Sequence, residues 1–325
     1  MAITLPDKWI WDSWYVHDGQ RWHGFFLQAN KSIQDPDLRH WNVTQGHAIS
    51  DDLHNWEHQG TCFTPSSGSA WDDYTTWTGS VVAGDDGQWH LFYTGTTRSE
   101  NGFYQRIGHA ISHNLHDWER VGNGLCLDLE GQNSSAYEIQ HAVGHWHDRA
   151  MRDPWVIRNP DGDGWLMYFT ARASDIVEPN AGGAIGLATS PDLFEWTLQS
   201  PNFVGGFGQL EVPQVFSIEN RWYCLFCTSS EHWSTAYQQT YPGHPVTGSH
   251  YLIADHPLGP WTIAPGNFLD GSTPCRRYAS RLVQTPEGWY ILGFQDNVAG
   301  VFGGIVMDPE PVIIDNQGLL HIISS

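Results

Sequence analysis

"GHAISDDLHNWEHQG" (residues 46–60) and "GHAISHNLHDWERVG" (108–122) are near copies of one another, and "GLATSPDLFEWTLQS" (186–200) is a third. A looser fourth, "YLIADHPLGPWTIAP", begins at 251. A Trp-led run precedes each copy: "WHGFFLQAN" at 22, "WHLFYTGTT" at 89, "WLMYFTARA" at 165 and "WYCLFCTSS" at 222. A fifth, "WYILGFQDN", begins at 289. Successive leading tryptophans lie 67, 76, 57 and 67 residues apart. The runs are short, aromatic and bounded by turn residues such as "DDGQ", "DGDG" and "PEGW", which reads as antiparallel β. No long segment carries a 3.6-residue apolar period, so few helices are expected. One supersecondary unit per copy, stacked to share a core, predicts an all-β fold. Five four-stranded units closed radially make a five-bladed β-propeller. The end copies show no polar cap, which argues against an open solenoid. The tail "PVIIDNQGLLHIISS" supplies strands to finish the last blade. Residues 1–325 are read as a single propeller domain.

Composition narrows the partners. The chain of 325 residues has 15 Lys and Arg against 36 Asp and Glu, a net charge of −21. Such a surface repels phosphates and anionic lipid, so no nucleic acid and no membrane is expected as partner. An uncharged small molecule remains. The five cysteines have no framework spacing, and Cys224 and Cys227 fall three apart within a strand, on opposite faces. They read as buried apolar residues rather than a redox or zinc pair. The start "MAITLPDKWIWDSW" shows no signal-peptide pattern, and no run reaches the length of a membrane helix, so a cytoplasmic protein is expected unless a leader has been removed. Oligomeric state is not written in the sequence.

The informative residues are those the copies do not share. The segments just ahead of the Trp-led runs should be the innermost strands, lining the central funnel. They read "WIWDSWYVHDG", "TTWTGSVVAG", "AMRDPWVIRN", "QLEVPQVFSI" and "RRYASRLVQT". Three bear a carboxylate at what looks like an equivalent place: Asp12, Asp153 and Glu211. Spacings of 141 and 58 residues separate them along the chain, but radial symmetry makes them neighbours. An Asp before Pro ordinarily forms a turn and a Glu before Val-Pro ordinarily ends a strand; the matching repeat positions favour a shared cavity. Crowded carboxylates raise one another's pKa. Two of them flanking a bond, one as acid and one as nucleophile or base, suit glycoside cleavage.

On these residues the sequence resembles the furanosidase propellers of glycoside hydrolase families 32 and 68, the invertase and levansucrase group. The carrying motifs are "GFFLQAN" with "GHAISDDLHNWEHQG", "WTGS" with "DDGQWHLFYTG", "RDP", "LEVPQVF" and "YASRLVQTPEGWYILGF", one per blade and in order. The resemblance implies Asp12 as nucleophile, Glu211 as general acid/base and Asp153 as transition-state stabiliser, with Arg152 beside it. It places Gln28, Trp77, Ser80 and Tyr278 around the sugar. It implies a β-fructofuranosidase working by a retaining double displacement, with transfer to a second sugar as an added outcome, and no cofactor. Three features depart from the invertase pattern: "WDSW" in the first motif, Val212 in place of Cys, and a chain ending near the fifth blade without a C-terminal β-sandwich. Glu211 is expected to have a raised pKa and Asp12 to stay ionised.

Trp11, Trp14 and Trp77 are candidates to stack on sugar, while Trp56, Trp118 and Trp196 recur and should pack between blades. His47 and His109 belong to the repeat and read as structural. The cluster "HAVGHWHDR" (141–149) could rim the funnel, but its spacing matches no metal-ligand pattern, and no metal is expected. "SSEHWSTAYQQTYPGHPVTGSH" (229–250) is the longest candidate for a substrate-selecting loop. Two rivals stand beside this reading: an inverting arabinofuranosidase or xylosidase propeller of the family 43 kind, and a sugar-binding propeller without activity.

Overall fold

The computed structural model describes residues 3–139 and 148–323, so most of the His-rich stretch 141–149 lies outside the described residues. Blade I holds β1 (Lys8–His17), β2 (Trp22–Asn30), β3 (Thr44–Ser50) and β4 (Trp56–Phe63). Blade II holds β5 (Thr75–Ala83), β6 (Trp89–Thr96), β7 (Arg106–Ser112) and β8 (Glu119–Leu127). Blade III holds β9 (Met151–Arg158), β10 (Trp165–Arg172) and β11 (Gly183–Ser190), edged by β12 (Thr197–Leu198) and β13 (Phe203–Val204). Blade IV holds β14 (Glu211–Ile218), β15 (Arg221–Thr228) and β16 (Thr247–Ala254), edged by β17 (Thr262–Ile263) and β18 (Asp270–Ser272). Blade V starts with β19 (Arg277–Thr285) and β20 (Gly288–Gln295). A small hairpin, β21 (Asn297–Val298) with β22 (Val301–Phe302), then leads to β23 (Glu310–Ile314) and β24 (Leu320–Ile322), so the tail does complete the blade. Pairing within each blade is antiparallel.

The inner strands β1, β5, β9, β14 and β19 each contact the next, and β19 returns to β1, which closes a five-bladed ring. The N-terminal segment fastens the closure: Ile3 bridges Val306, and the Ile10 amide donates to the Gly304 carbonyl at 2.9 Å. α1 (Thr235–Thr240) is the single α-helix among the described residues, and no helix there is long and apolar enough to cross a membrane.

The core sits between blades as five wedges rather than one centre. Trp14, Phe25 and Leu27 meet Leu91 and Tyr93 between I and II; Phe92 and Ile107 meet Met167 and Phe169 between II and III. Equivalent clusters join III to IV, IV to V, and V back to I. Each large side chain so buried contributes roughly 1.5–3 kcal/mol. The repeated motif builds both the turn and the wedge. Ser112 Oγ and Ser190 Oγ accept the amides of Leu115 and Leu193, while Asp52, Asn114 and Asp192 each accept the two amides that follow that leucine. Leu53, Leu115 and Leu193 share a left-handed backbone, at φ 63°, 63° and 73°. The turn then delivers a tryptophan to the neighbouring blade: Trp118 packs edge-on to Phe25 and Trp196 edge-on to Phe92.

The repeat histidines form relays. His23 contacts Asp18 and His47, and His47 contacts His116; His90 likewise contacts Asp86 and His109. His47 and His109 stack on Phe25 and Phe92. Burial and neighbouring histidines push both imidazoles down to about 3. The folded state therefore resists protons that the unfolded chain takes up near pH 6.5, so stability falls as pH drops through that value. At pH 5 each imidazole should cost about 2 kcal/mol. Urea unfolding of wild type and His109→Gln at pH 7 and pH 5 isolates this contribution: the variant should lose about 2 kcal/mol less than the wild type between the two pH values, and an equal change in both proteins would remove the argument.

Candidate active site

Every inner strand breaks register with its partner at the same level. The interruptions fall between Ile10 and Ser13, Trp77 and Gly79, Arg152 and Trp155, Glu211 and Gln214, and Tyr278 and Arg281. A bulge leaves an extra residue unpaired and re-aims its neighbours. In β5 it depends on Gly79, where a Cβ would collide with the Phe92 carbonyl oxygen. In blades III to V the first bulge residue is left-handed: Asp153 at φ 57°, Val212 at 54° and Ala279 at 47°. For a β-branched valine this is a strained backbone.

The bulges open into a cavity of about 490 Å³ at the funnel mouth. Asp12, Asp153 and Glu211 all line it, with Trp11, Trp77, Arg152 and Tyr278. Register corrects the expected equivalence, however. Arg152, Glu211 and Tyr278 pair with Thr170, Cys227 and Phe294, each five residues past its blade's leading tryptophan. Glu211 thus corresponds to Arg152, and Asp153 to Val212. Asp12, two residues after Ile10 and one before Ser13, sits in its bulge as Asp153 does, so two of the three carboxylates share a position. Glu211 stands one place earlier, and all three converge because neighbouring bulge positions share one cavity.

Two expected pocket residues lie elsewhere. Gln28 is fully buried within blade I, where its Nε2 donates to Thr61 Oγ1 at 2.8 Å and Thr44 Oγ1 at 3.2 Å; Leu27 beside it reaches the cavity. Ser80 is buried in β5 outside the lining, because the bulge breaks the two-residue alternation and presents Trp77 and Thr78 instead. Trp14 also leaves the site and stacks on Phe25.

Each carboxylate has its own support. Thr78 donates its hydroxyl to Asp12 Oδ2. Asp153 Oδ2 accepts from Thr170 Oγ1 at 2.9 Å and from the Val212 amide at 3.1 Å. Glu211 is gripped on both oxygens, by Arg152 Nη2 at 2.7 Å and the Tyr278 hydroxyl at 2.5 Å. Arg152 is itself held by Gln209 at 2.5 Å and Gln105 at 3.2 Å, and Gln105 donates to Asp148 at 2.8 Å. None of Thr78, Gln105, Asp148 or Gln209 was marked by the repeat. Arg39, His40 and Trp41 reach the cavity from the β2–β3 connection, where Asp35 accepts the Asp37 amide to start a short 3₁₀ turn. Ser229, His232 and Thr247 reach it from the 229–250 stretch, as expected of that loop.

The electrostatics reverse one expectation. Burial, then the Asp153 charge, lifts Asp12 to about 7 against the Thr78 hydrogen bond. Burial lifts Asp153 as well. Burial also acts upward on Glu211, but the Arg152 charge and the Tyr278 hydrogen bond outweigh it and leave Glu211 below an ordinary glutamate. Without substrate, then, Asp12 holds a proton more readily than Glu211, because of the two only Glu211 has a cation and a phenol in contact.

A family model described as the glycosyl hydrolases family 32 N-terminal domain matches residues 6–258. The chain is 29% identical over 286 residues to a sucrose-6-phosphate hydrolase of Pediococcus pentosaceus, covering 83% of this chain and 48% of that one. It is 30% identical over 267 residues to an invertase of Wickerhamomyces anomalus, covering 78% and 43%. It thus spans less than half the length of either relative. Among solved structures, an inulosucrase from Halalkalicoccus jeotgali bound to kestose superposes with a TM-score of 0.73 at 18% identity, over 98% of this chain and 87% of that one. A levansucrase from Gluconacetobacter diazotrophicus gives 0.74 at 17%, over 99% and 81%. These two bear on the fold.

Proposed function

Because the chain belongs to glycosyl hydrolase family 32, we propose that its cavity cleaves β-fructofuranosides of the sucrose and fructan type by a retaining double displacement, with transfer to a second sugar as an alternative fate of the intermediate. The observation that supports this most is the gathering of Asp12, Asp153 and Glu211 around one cavity, with Glu211 held at both oxygens. In this reading Asp12 attacks the anomeric carbon as Glu211 gives its proton to the leaving oxygen. Water, deprotonated by Glu211, then releases the sugar. Asp153, fixed by Thr170 and Val212, accepts hydrogen bonds from the ring hydroxyls. Trp11, Trp77 and Trp41 furnish apolar wall for the sugar.

The pair Asp12 and Glu211 carries the single proton the reaction needs, placed on the other partner. Positive charge growing at the anomeric carbon favours ionised Asp12, and negative charge on the leaving oxygen favours protonated Glu211, so the transition state itself draws the proton across. The rate against pH is expected to be bell-shaped, since only the singly protonated pair works. Activity should fall as pH rises through about 7, where Asp12 titrates, and fall again below the ordinary glutamate range, where Glu211 gains its own proton. Tyr278→Phe removes a donor that favours the Glu211 carboxylate, and should move the acid limb upward by about one unit. Fructose release from sucrose, followed as kcat/KM against pH, checks all of this; no release from sucrose or from inulin and levan at any pH would refute the proposed activity.

A further inference from the structure

Arg281 is 1% exposed and lies on β19 just past its bulge. Its Nη1 donates to two successive carbonyls of β14, Val212 at 2.9 Å and Pro213 at 2.7 Å, and its guanidinium lies 4.8 Å from the Trp155 ring centre. Nε and Nη2 have no hydrogen-bond partner among the described residues. Burying a cation with idle donors is costly unless nearby negative charge compensates. The titratable groups that feel it are Asp12 and Tyr15 on β1, Asp153 on β9, and Cys224 and Cys227 on β15.

Its hydrogen bonds fall at a mechanically important place. Val212 is the strained left-handed residue that follows Glu211. The Val212 amide donates to Asp153 and the Val212 carbonyl accepts from Arg281, so the strained peptide is held from both sides. We infer that Arg281 is a positioning residue for the proposed fructoside cleavage: it clamps the Val212–Pro213 bulge that aims Glu211. This inference rests on the hydrolase reading above.

Arg281→Met removes clamp and charge together; Arg281→Lys keeps the charge but lacks the planar fork. With sucrose, the Met variant is expected to lose about 100-fold in kcat with little change in KM, and its basic pH limb should rise. The Lys variant should lose kcat while its basic limb stays at the wild-type pH. Wild-type kcat in either variant overturns the inference, and the Lys result decides alone if the Met variant does not fold. Infrared titration of the buried carboxyl groups gives the same shift without turnover. A wild type inactive on fructosides defeats the activity proposal, whereas an active wild type whose variants keep the wild-type kcat defeats the inference alone.

Discussion

Asp12→Asn should lower sucrose turnover by at least about 10⁴-fold, the scale seen when a group acting as part of a catalytic unit is removed, while making the folded protein more stable at neutral pH. The first effect follows from losing the proposed nucleophile; asparagine keeps the shape and the contact with Thr78 but cannot form the glycosyl ester. The second follows from proton linkage. Asp12 is held near pH 7 when folded, against 3.8 for an unperturbed aspartate, so folding favours its neutral form. Below about pH 4 the side chain is protonated in both states and costs the fold nothing. Between there and pH 7 the penalty grows, reaching on the order of 4 kcal/mol above pH 7. Chemical denaturation of the two proteins should therefore give similar stabilities at pH 4 and diverge by pH 8, with the variant ahead. A variant less stable than the parent at pH 8 would contradict the burial and repulsion assigned to Asp12.

Glu211→Gln should lower sucrose turnover by about 10³- to 10⁴-fold, within the range of general acid–base contributions, and its effect should depend on the leaving group. Sucrose needs a proton on the departing oxygen, whereas p-nitrophenyl β-fructofuranoside leaves as a stable phenolate. With the activated substrate the first step survives and the second, which needs Glu211 to deprotonate water, becomes limiting. A burst of nitrophenol followed by slow turnover is expected, and the acid limb of the pH profile should vanish because glutamine does not titrate. The fold should tolerate the change, since Arg152 keeps Gln209 and Gln105 as partners. Equal losses on both substrates would argue that Glu211 does not protonate the leaving group.

How the sequence discloses this site follows from what repeats and what does not. The ring was legible because "GHAIS…L…W" recurs and each copy uses the same atoms: a serine and an Asp or Asn to make the turn, a leucine in left-handed backbone, a tryptophan for the next wedge. The inner strands were legible by position alone. What the repeat could not convey is the bulge, because a single extra residue shifts the face of everything beyond it. Ser80 was expected in the pocket and Thr78 was not, although two residues separate them on one strand. Gln28 was misplaced by one position relative to Leu27. Arg39, His40 and Trp41 were invisible for another reason: they stand in a connection with no periodicity, and only its folding over the funnel brings them to the cavity. The protonation states were beyond a sequence reading too, since they turn on which carboxylate meets Arg152 and Tyr278.

The anomeric configuration of the product separates a double from a single displacement. Turnover of sucrose in water containing methanol should trap part of the fructosyl group as its methyl fructofuranoside, whose anomeric configuration does not scramble and can be read by NMR. Attack by Asp12 followed by methanol inverts the centre twice and predicts methyl β-fructofuranoside. Recovery of the α-anomer would mean a single displacement, with Asp12 as base rather than nucleophile, and would contradict the account.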